Sequence, residues 1–355
     1  MNDGAETRPL RVLIVRVGAM GDVLHALPAV AALRERIPGC FIGWAVEPRW
    51  SALLAVPEAT GIVDRVHSVA TREWKKRPLS PGTLRSIAAL RRELRAEQYD
   101  VCVDLQGLIR SAVIGRMAGA ARYVGSQTPR ERLARVLYGE RVEVRAPHVI
   151  EKACELVSAG IGEALVPVRP ALPVDTAAEI WCDRRLAELG VGDCGFVLLS
   201  PAAGWGAKTW PVERWQLLAR QLAAEGYAVL VNAGGPADLA VTEAAAGDGP
   251  AKLVECGVAE LIALTRRAKL VVGGDTGPVH LAAALGRPVV ALFGPTDPRR
   301  NGPYFPGARV RVLRHASSRL DHGRRAEREA GLSQITEEEV FDAAIDLLRE
   351  GNGNG

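Results

Sequence analysis

Short runs of apolar, mostly β-branched residues alternate with stretches of helical period along the whole chain. Strands are expected at 12–17 (VLIVRV), 41–46, 65–69 and 101–105, with weaker ones near 123–125 and 141–144. An apolar helix is expected at 23–36. Between 84 and 97, apolar residues recur at 84, 87, 90 and 94, a helical spacing with arginines on the opposite face. Near-continuous apolar strands separated by helices imply βαβ units and a parallel sheet buried on both faces.

The pattern breaks at 166–175, VPVRPALPVD, where three closely spaced prolines can continue neither a helix nor a central strand. This segment is expected to be an inter-domain linker. The alternation then restarts, with strands at 196–200, 227–232, 252–255, 270–273 and 289–293 and helices at 212–225 and 276–285. The expected architecture is α/β, with Rossmann-like domains at 1–172 and 173–335 whose parallel sheets face a central cleft. A last helix within 336–355 starts at Thr336 with Glu339 in capping-box spacing, runs to about 349 and ends in a frayed GNGNG. In two-sheet architectures such a helix can cross back to the first domain.

Composition narrows the class. A chain of 355 residues suggests about two domains. With 48% hydrophobic and 24% charged residues, it is a folded protein rather than a disordered or membrane-embedded one. The first ten residues are polar and no window approaches the length of a membrane span, so a cytoplasmic protein without a signal peptide is expected. The six cysteines include no CxxC pair, so buried reduced thiols are expected and a zinc site is not.

The net charge of +4 hides an asymmetry: residues 1–175 carry +6, residues 176–355 carry −2, and 65–145 alone carry +9. Thirty-nine of the 45 basic residues are arginine. A GC-rich genome accounts for that bias, or some of these side chains bind phosphate or carboxylate groups bidentately. No nucleic-acid motif accompanies the charge. A clustered positive field suits an anionic partner or membrane surface.

Three glycine-containing loops follow strands, where open α/β sheets place ligands. The first is Val17-Gly-Ala-Met-Gly-Asp22. Gly18 and Gly21 allow the backbone to approach a substrate, and the spacing is not that of a dinucleotide fingerprint. Asp22 is either a helix-terminal carboxylate or a general base, and His25, one turn on, is either packed or catalytic. The second loop, 200–211 (SPAAGWGAKTWP), offers Lys208, one of only six lysines, either to solvent or to a diphosphate. The third, GGDTGPVH at 273–280, ends a buried strand and begins a helix. There Thr276 is placed to cap, Pro278 fits the first turn, and Gly286 suits the C′ position. The helix N-terminus is a natural diphosphate site. Asp275 is either a structural cap or an acceptor for sugar hydroxyls, and His280 is placed to face phosphates.

At these residues the chain resembles the glycosyltransferase family 9 heptosyltransferases. The resemblance spans about residues 10–350 and is carried by VLIVRVGAMGDVLHALPA, DLQGLIRSA at 104–112, SPAAGWGAKTWP, and GGDTGPVHLAAALGRPVVALFGPTDP. WAVEPRW at 44–50 and TREWKKR at 71–77 bring it nearest to the type I enzymes, although Ala202-Ala203-Gly204 departs from the hydroxyl residues usual there. The resemblance implies the GT-B fold and inverting, metal-independent transfer of heptose from ADP-heptose to a Kdo sugar of lipid A. Asp22 would be the base. Ser200, Lys208, Asp275, Thr276, Gly277 and His280 would hold the donor, with Asp238 reaching its ribose. Gly21, His25, Arg72, Lys76, Gln106, Arg110 and Arg130 would meet an acidic glycolipid acceptor at the cytoplasmic face of the inner membrane. A heptosyltransferase of type II, another family 9 enzyme, a sugar-nucleotide epimerase and a non-catalytic sugar-nucleotide binder are the alternatives.

Overall fold

The computed structural model describes residues 8–55, 62–192, 194–305, 309–320 and 327–352. The chain divides into two compact units, 1–173 and 174–355.

In the first unit the elements are β1 (Arg11–Val15), α1 (Met20–Arg36), β2 (Phe41–Val46), β3 (Arg65–Ser68), α2 (Thr71–Lys76), α3 (Pro81–Ala96), β4 (Val101–Asp104), α4 (Ile109–Ala118), β5 (Arg122–Ser126), β6 (Glu140–Val142) and α5 (Val149–Ile161). All strand pairs are parallel, in the order β3-β2-β1-β4-β5-β6. The second unit contains α6 (Thr176–Glu188), β7 (Phe196–Ser200), α7 (Val212–Ala224), β8 (Ala228–Ala233), α8 (Pro236–Ala246), β9 (Lys252–Glu255), α9 (Val258–Arg267), β10 (Leu270–Gly274), α10 (Gly277–Ala284), β11 (Val289–Leu292), α11 (Pro298–Asn301), β12 (Val310–Leu313) and α12 (Glu337–Asn352). Its sheet is also parallel, in the order β12-β11-β10-β7-β8-β9. Both are the doubly wound Rossmann order, with one switch point at β1/β4 and the other at β7/β10.

Burial follows that order. Apart from the partly exposed first residue of β1, the strands β1, β4, β7 and β10 are buried throughout, which is why their sequences are apolar without alternation. The edge strands β3, β6, β9 and β12 are only partly buried. β12 was not anticipated, because its arginine-bearing VRVL sits at an edge and lacks a buried strand's signature. The basic TREWKK run forms helix α2, and β6 begins one residue earlier than expected.

Thr336 and Glu339 do form the capping box: the Glu339 N–H donates to Thr336 Oγ1 at 3.2 Å and the Thr336 N–H to Glu339 Oε2 at 2.7 Å. The helix they open packs within the second unit. α12 packs on α7, β10, β11 and β12 of its own unit. Val340, Ala344, Leu347 and Leu348 lie on one helical stripe and join Trp210 and Trp215 in the second core. Residues 353–355 of the expected frayed end lie outside the described residues, as does most of the first ten-residue segment.

Candidate active site

The first switch point is assembled around Asp22. β1 ends at Val15, and the next two residues stay tied to the sheet. The Trp44 indole N–H donates to the Arg16 carbonyl at 3.0 Å, and the Glu47 N–H donates to the Val17 carbonyl at 3.0 Å. A side chain at Gly18 would place its Cβ 2.8 Å from Trp50 Nε1, so glycine is required where the loop passes the indole.

Asp22 sits in the first turn of α1 and accepts the Ala19 N–H at 3.2 Å, so the capping role is real. It is only part of the environment. Arg16 Nη2 lies 2.7 Å from Asp22 Oδ1, and Arg130 Nη1 lies 3.6 Å from Oδ2. Burial works to raise the Asp22 pKa, but Arg16, Arg130, His25 and the Ala19 N–H together hold it below the ordinary carboxylate value. The side chain keeps 31% of its surface exposed. Asp22 is therefore an ionised, reachable carboxylate at neutral pH.

The loop after β4 supports this arrangement. Asp104 is buried and accepts four hydrogen bonds: the N–H groups of Gln106 (2.8 Å) and Gly107 (3.1 Å), Ser111 Oγ (2.9 Å) and the Tyr138 hydroxyl (2.8 Å). Burial nevertheless raises its pKa. Gln106 is buried and its Oε1 accepts the Val17 N–H at 2.6 Å, so it braces the loop that leads to Asp22. Gly107 has φ +69°, and a Cβ there would meet the Arg130 nitrogen at 3.1 Å. The Arg130 segment thus rides directly over that glycine.

Among the other residues expected to meet the acceptor, Gly21 adjoins Asp22, and His25 is half-buried with its ring edge-on to His148 at 6.2 Å. Arg72 and Lys76 are exposed on α2, and Arg110 is exposed on α4. Arg16 was missed by sequence reasoning. Its signal was an arginine directly after four wholly buried apolar residues. The arginine reaches both Asp22 and the Leu105 carbonyl.

The second switch point is built on Asp275, directly after β10. Its Oδ2 accepts Lys208 Nζ at 2.5 Å and the Thr296 hydroxyl at 2.6 Å, and its Oδ1 pairs with His280 Nε2 at 2.8 Å. Lys208 also donates to the Asp275 carbonyl at 3.0 Å and lies 5.3 Å from the Trp205 ring centre. The Asp275 side chain is only 4% exposed. Burial would raise its pKa, but His280 and Lys208 hold it far below the usual range. Asp275 is thus an internal anchor that fixes Lys208 and His280, with both oxygens already engaged by side chains. Thr296, in GPTDP, is the donor that sequence reasoning missed.

The two glycines before Asp275 allow close packing. A Cβ on Gly273 would lie 2.9 Å from Val279 and 3.2 Å from Ser200, and one on Gly274 would lie 3.1 Å from the Lys208 carbonyl. Ser200 is buried, its hydroxyl donating to Asn232 Oδ1 at 2.6 Å, so it ties β7 to β8. Thr276 stands at the N-cap position of α10, but its hydroxyl turns to the Gly274 carbonyl at 3.3 Å and caps nothing. The start of α10 at Gly277 therefore lacks a side-chain cap, which leaves it suited to an anion. Gly286 adopts φ +70° just past the helix, as expected for C′. Asp238 lies in the first turn of α8, half-buried.

Among the described residues, no group of three or more His, Cys, Asp or Glu side chains is placed to hold a metal ion. No described helix is long and apolar enough to cross a membrane.

A model of glycosyltransferase family 9 (heptosyltransferase) matches residues 87–328. Lipopolysaccharide heptosyltransferase 1 of Escherichia coli K12 is 34% identical over 304 residues, covering 83% of this chain and 91% of that protein. The Salmonella typhimurium LT2 protein of the same name is 32% identical over 303 residues, with 83% and 92% covered. Among solved structures, E. coli heptosyltransferase WaaC with ADP matches with a TM-score of 0.76 at 31% identity, over 95% of this chain and 100% of that one. E. coli ADP-heptose lps heptosyltransferase II matches with a TM-score of 0.74 at 23% identity, a likeness of fold. With two parallel six-stranded sheets of GT-B type and this sequence identity, the chain belongs to glycosyltransferase family 9, the heptosyltransferases.

Proposed function

We propose that this glycosyltransferase moves L-glycero-D-manno-heptose from ADP-heptose to a Kdo residue of the lipopolysaccharide inner core, with inversion and without a metal. The observation that carries the reading is Asp22, ionised and partly exposed at one switch point of a family 9 chain whose other switch point holds Lys208 beside an uncapped helix start. The similarity to proteins named lipopolysaccharide heptosyltransferase 1 and to a structure with ADP-2-deoxy-2-fluoro heptose supports the choice of sugar and acceptor.

In this mechanism the acceptor hydroxyl oxygen attacks the anomeric carbon in line with the bond to the diphosphate. As the new C–O bond forms, the old one breaks and its electron pair leaves with ADP. The hydroxyl proton passes to the Asp22 carboxylate. Negative charge grows on the leaving phosphate, so the Lys208 ammonium and the α10 N-terminus act most strongly in the transition state. Arg16 keeps Asp22 ionised and oriented, and Arg130 stands where the acid groups of the acceptor arrive. The acceptor is lipid-anchored, so the protein works in the cytoplasm, peripherally at the inner membrane.

The deciding experiment is mass spectrometry of Kdo-lipid A incubated with ADP-heptose and the protein. A heptose-sized increment is expected on the acceptor. ADP release with no increment, or conversion of the ADP-sugar alone, would replace this reading.

A further inference from the structure

We propose that the outer face formed by α4 and the helical turn Arg132–Leu137 is the surface by which the protein rests on an anionic lipid bilayer. This rests on the reading above that the acceptor is lipid-anchored, and it names the part of the molecule that meets the lipid.

The turn Arg132–Leu137 is a 3₁₀ helix, in which residues three apart share a face. Its sequence RLARVL therefore makes three stripes. Ala134 is buried and Leu137 half-buried against the core of the first unit. Leu133 and Val136 form a second stripe and are 69% and 68% exposed. Arg132 and Arg135 form the third and are exposed.

α4 packs against this turn. The Glu131 N–H donates to the Gly107 carbonyl at 2.9 Å, and the Ile109 N–H donates to Glu131 Oε2 at 2.7 Å. These bonds join the two elements at their starts. Ile109 and Val113, one helical turn apart on α4, are each 40% exposed. Four aliphatic side chains thus face out from two joined elements.

The charge around them is mostly positive. Arg110, Arg116, Arg130, Arg132 and Arg135 are exposed, with Glu131 as the single acid in 109–116 and 130–136. Among the described residues Arg110, Arg116, Arg132 and Arg135 form no ion pair. Aliphatic side chains set among unpaired arginines match a bilayer interface, where the chains enter the headgroup boundary and the guanidinium groups meet anionic lipid. The face lacks the aromatic anchors that dominate protein–protein hot spots. It is also close to the chemistry, because the same segment begins with Arg130, 3.6 Å from Asp22.

The test is co-sedimentation of the full chain with phosphatidylglycerol vesicles and with phosphatidylcholine vesicles. Wild type is expected to prefer phosphatidylglycerol. Replacing Leu133→Ser and Val136→Ser together should weaken that binding about tenfold, the scale for partial burial of two aliphatic side chains. Arg132→Gln with Arg135→Gln should weaken it by about the same factor, and that difference should vanish in high salt. Ile180→Ser, at an exposed apolar position of α6, should leave binding unchanged. The serine pair should retain turnover on a deacylated, water-soluble acceptor while losing it on acceptor embedded in vesicles. Undiminished vesicle binding by both double variants would overturn the proposal. So would equal binding of wild type to both lipids, or equal losses in the Ile180 variant. If wild type glycosylates neither the soluble nor the vesicle-embedded acceptor, the heptosyl-transfer reading fails, and sedimentation alone still decides the surface.

Discussion

The two units share one strand order and each places an aspartate at its switch point, Asp22 after the first strand of one sheet and Asp275 after the fourth strand of the other, yet those aspartates are opposites. Asp22 is held by two arginines, keeps a third of its side chain exposed, and has one oxygen that meets the Ala19 N–H and, at 3.6 Å, Arg130. Asp275 is sealed, with lysine, histidine and threonine side chains on its two oxygens. Topology therefore selects where a carboxylate sits, and the neighbours select what it does. Cationic neighbours with solvent access give an ionised, reachable carboxylate. A closed ring of donors gives a hub that positions other groups.

The sharpest way to break this contrast is Asp22→Ala, which should lower kcat by about 10²–10⁴ while ADP-heptose affinity, measured by calorimetry, stays the same. Near-normal turnover would remove Asp22 from the chemistry. Asp275→Asn should instead appear in thermal unfolding, with a loss of about 3–5 kcal/mol at neutral pH, because the buried charges of its partners are left uncompensated. The depressed Asp275 pKa adds a sign: its stabilisation is complete above the unfolded carboxylate value of about 3.9 and fades as pH falls below it. The gap between wild type and Asp275→Asn should therefore narrow in acid. A gap that stays constant with pH would show that the ring is not electrostatic.

The smallest effect is expected for Arg16→Gln. Without that guanidinium the Asp22 pKa rises, and the acidic limb of the kcat/KM profile moves to higher pH. An unmoved limb would assign Arg16 to support of the Leu105 loop alone.

Much of this was legible in the sequence, for identifiable reasons. Central strands buried on both faces leave unbroken apolar runs, so β1, β4, β7 and β10 announce themselves, whereas β12 at an edge does not. Asp22, Lys208 and Asp275 stand in glycine loops after strands, where their residue types suggest chemistry. What escaped depends on partners far along the chain. Arg16 meets the Leu105 carbonyl 89 residues away, Gln106 braces Val17 across the same interval, and Thr296 reaches back 21 residues to Asp275. Nothing local distinguishes a glutamine that grips a backbone from one that grips a ligand. Thr276 shows the converse: its type and position foretold a cap, but the hydroxyl turned away.

The tether on Lys208 also sets how it counts a ligand's oxygens. An ammonium has three protons. One goes to the Asp275 carboxylate and one to the Asp275 carbonyl. In the proposed function, that leaves a single proton for the incoming nucleotide. Lys208 would thus act there as a single contact of fixed bearing, and the other phosphate oxygens would need other donors, such as the N–H groups at the start of α10.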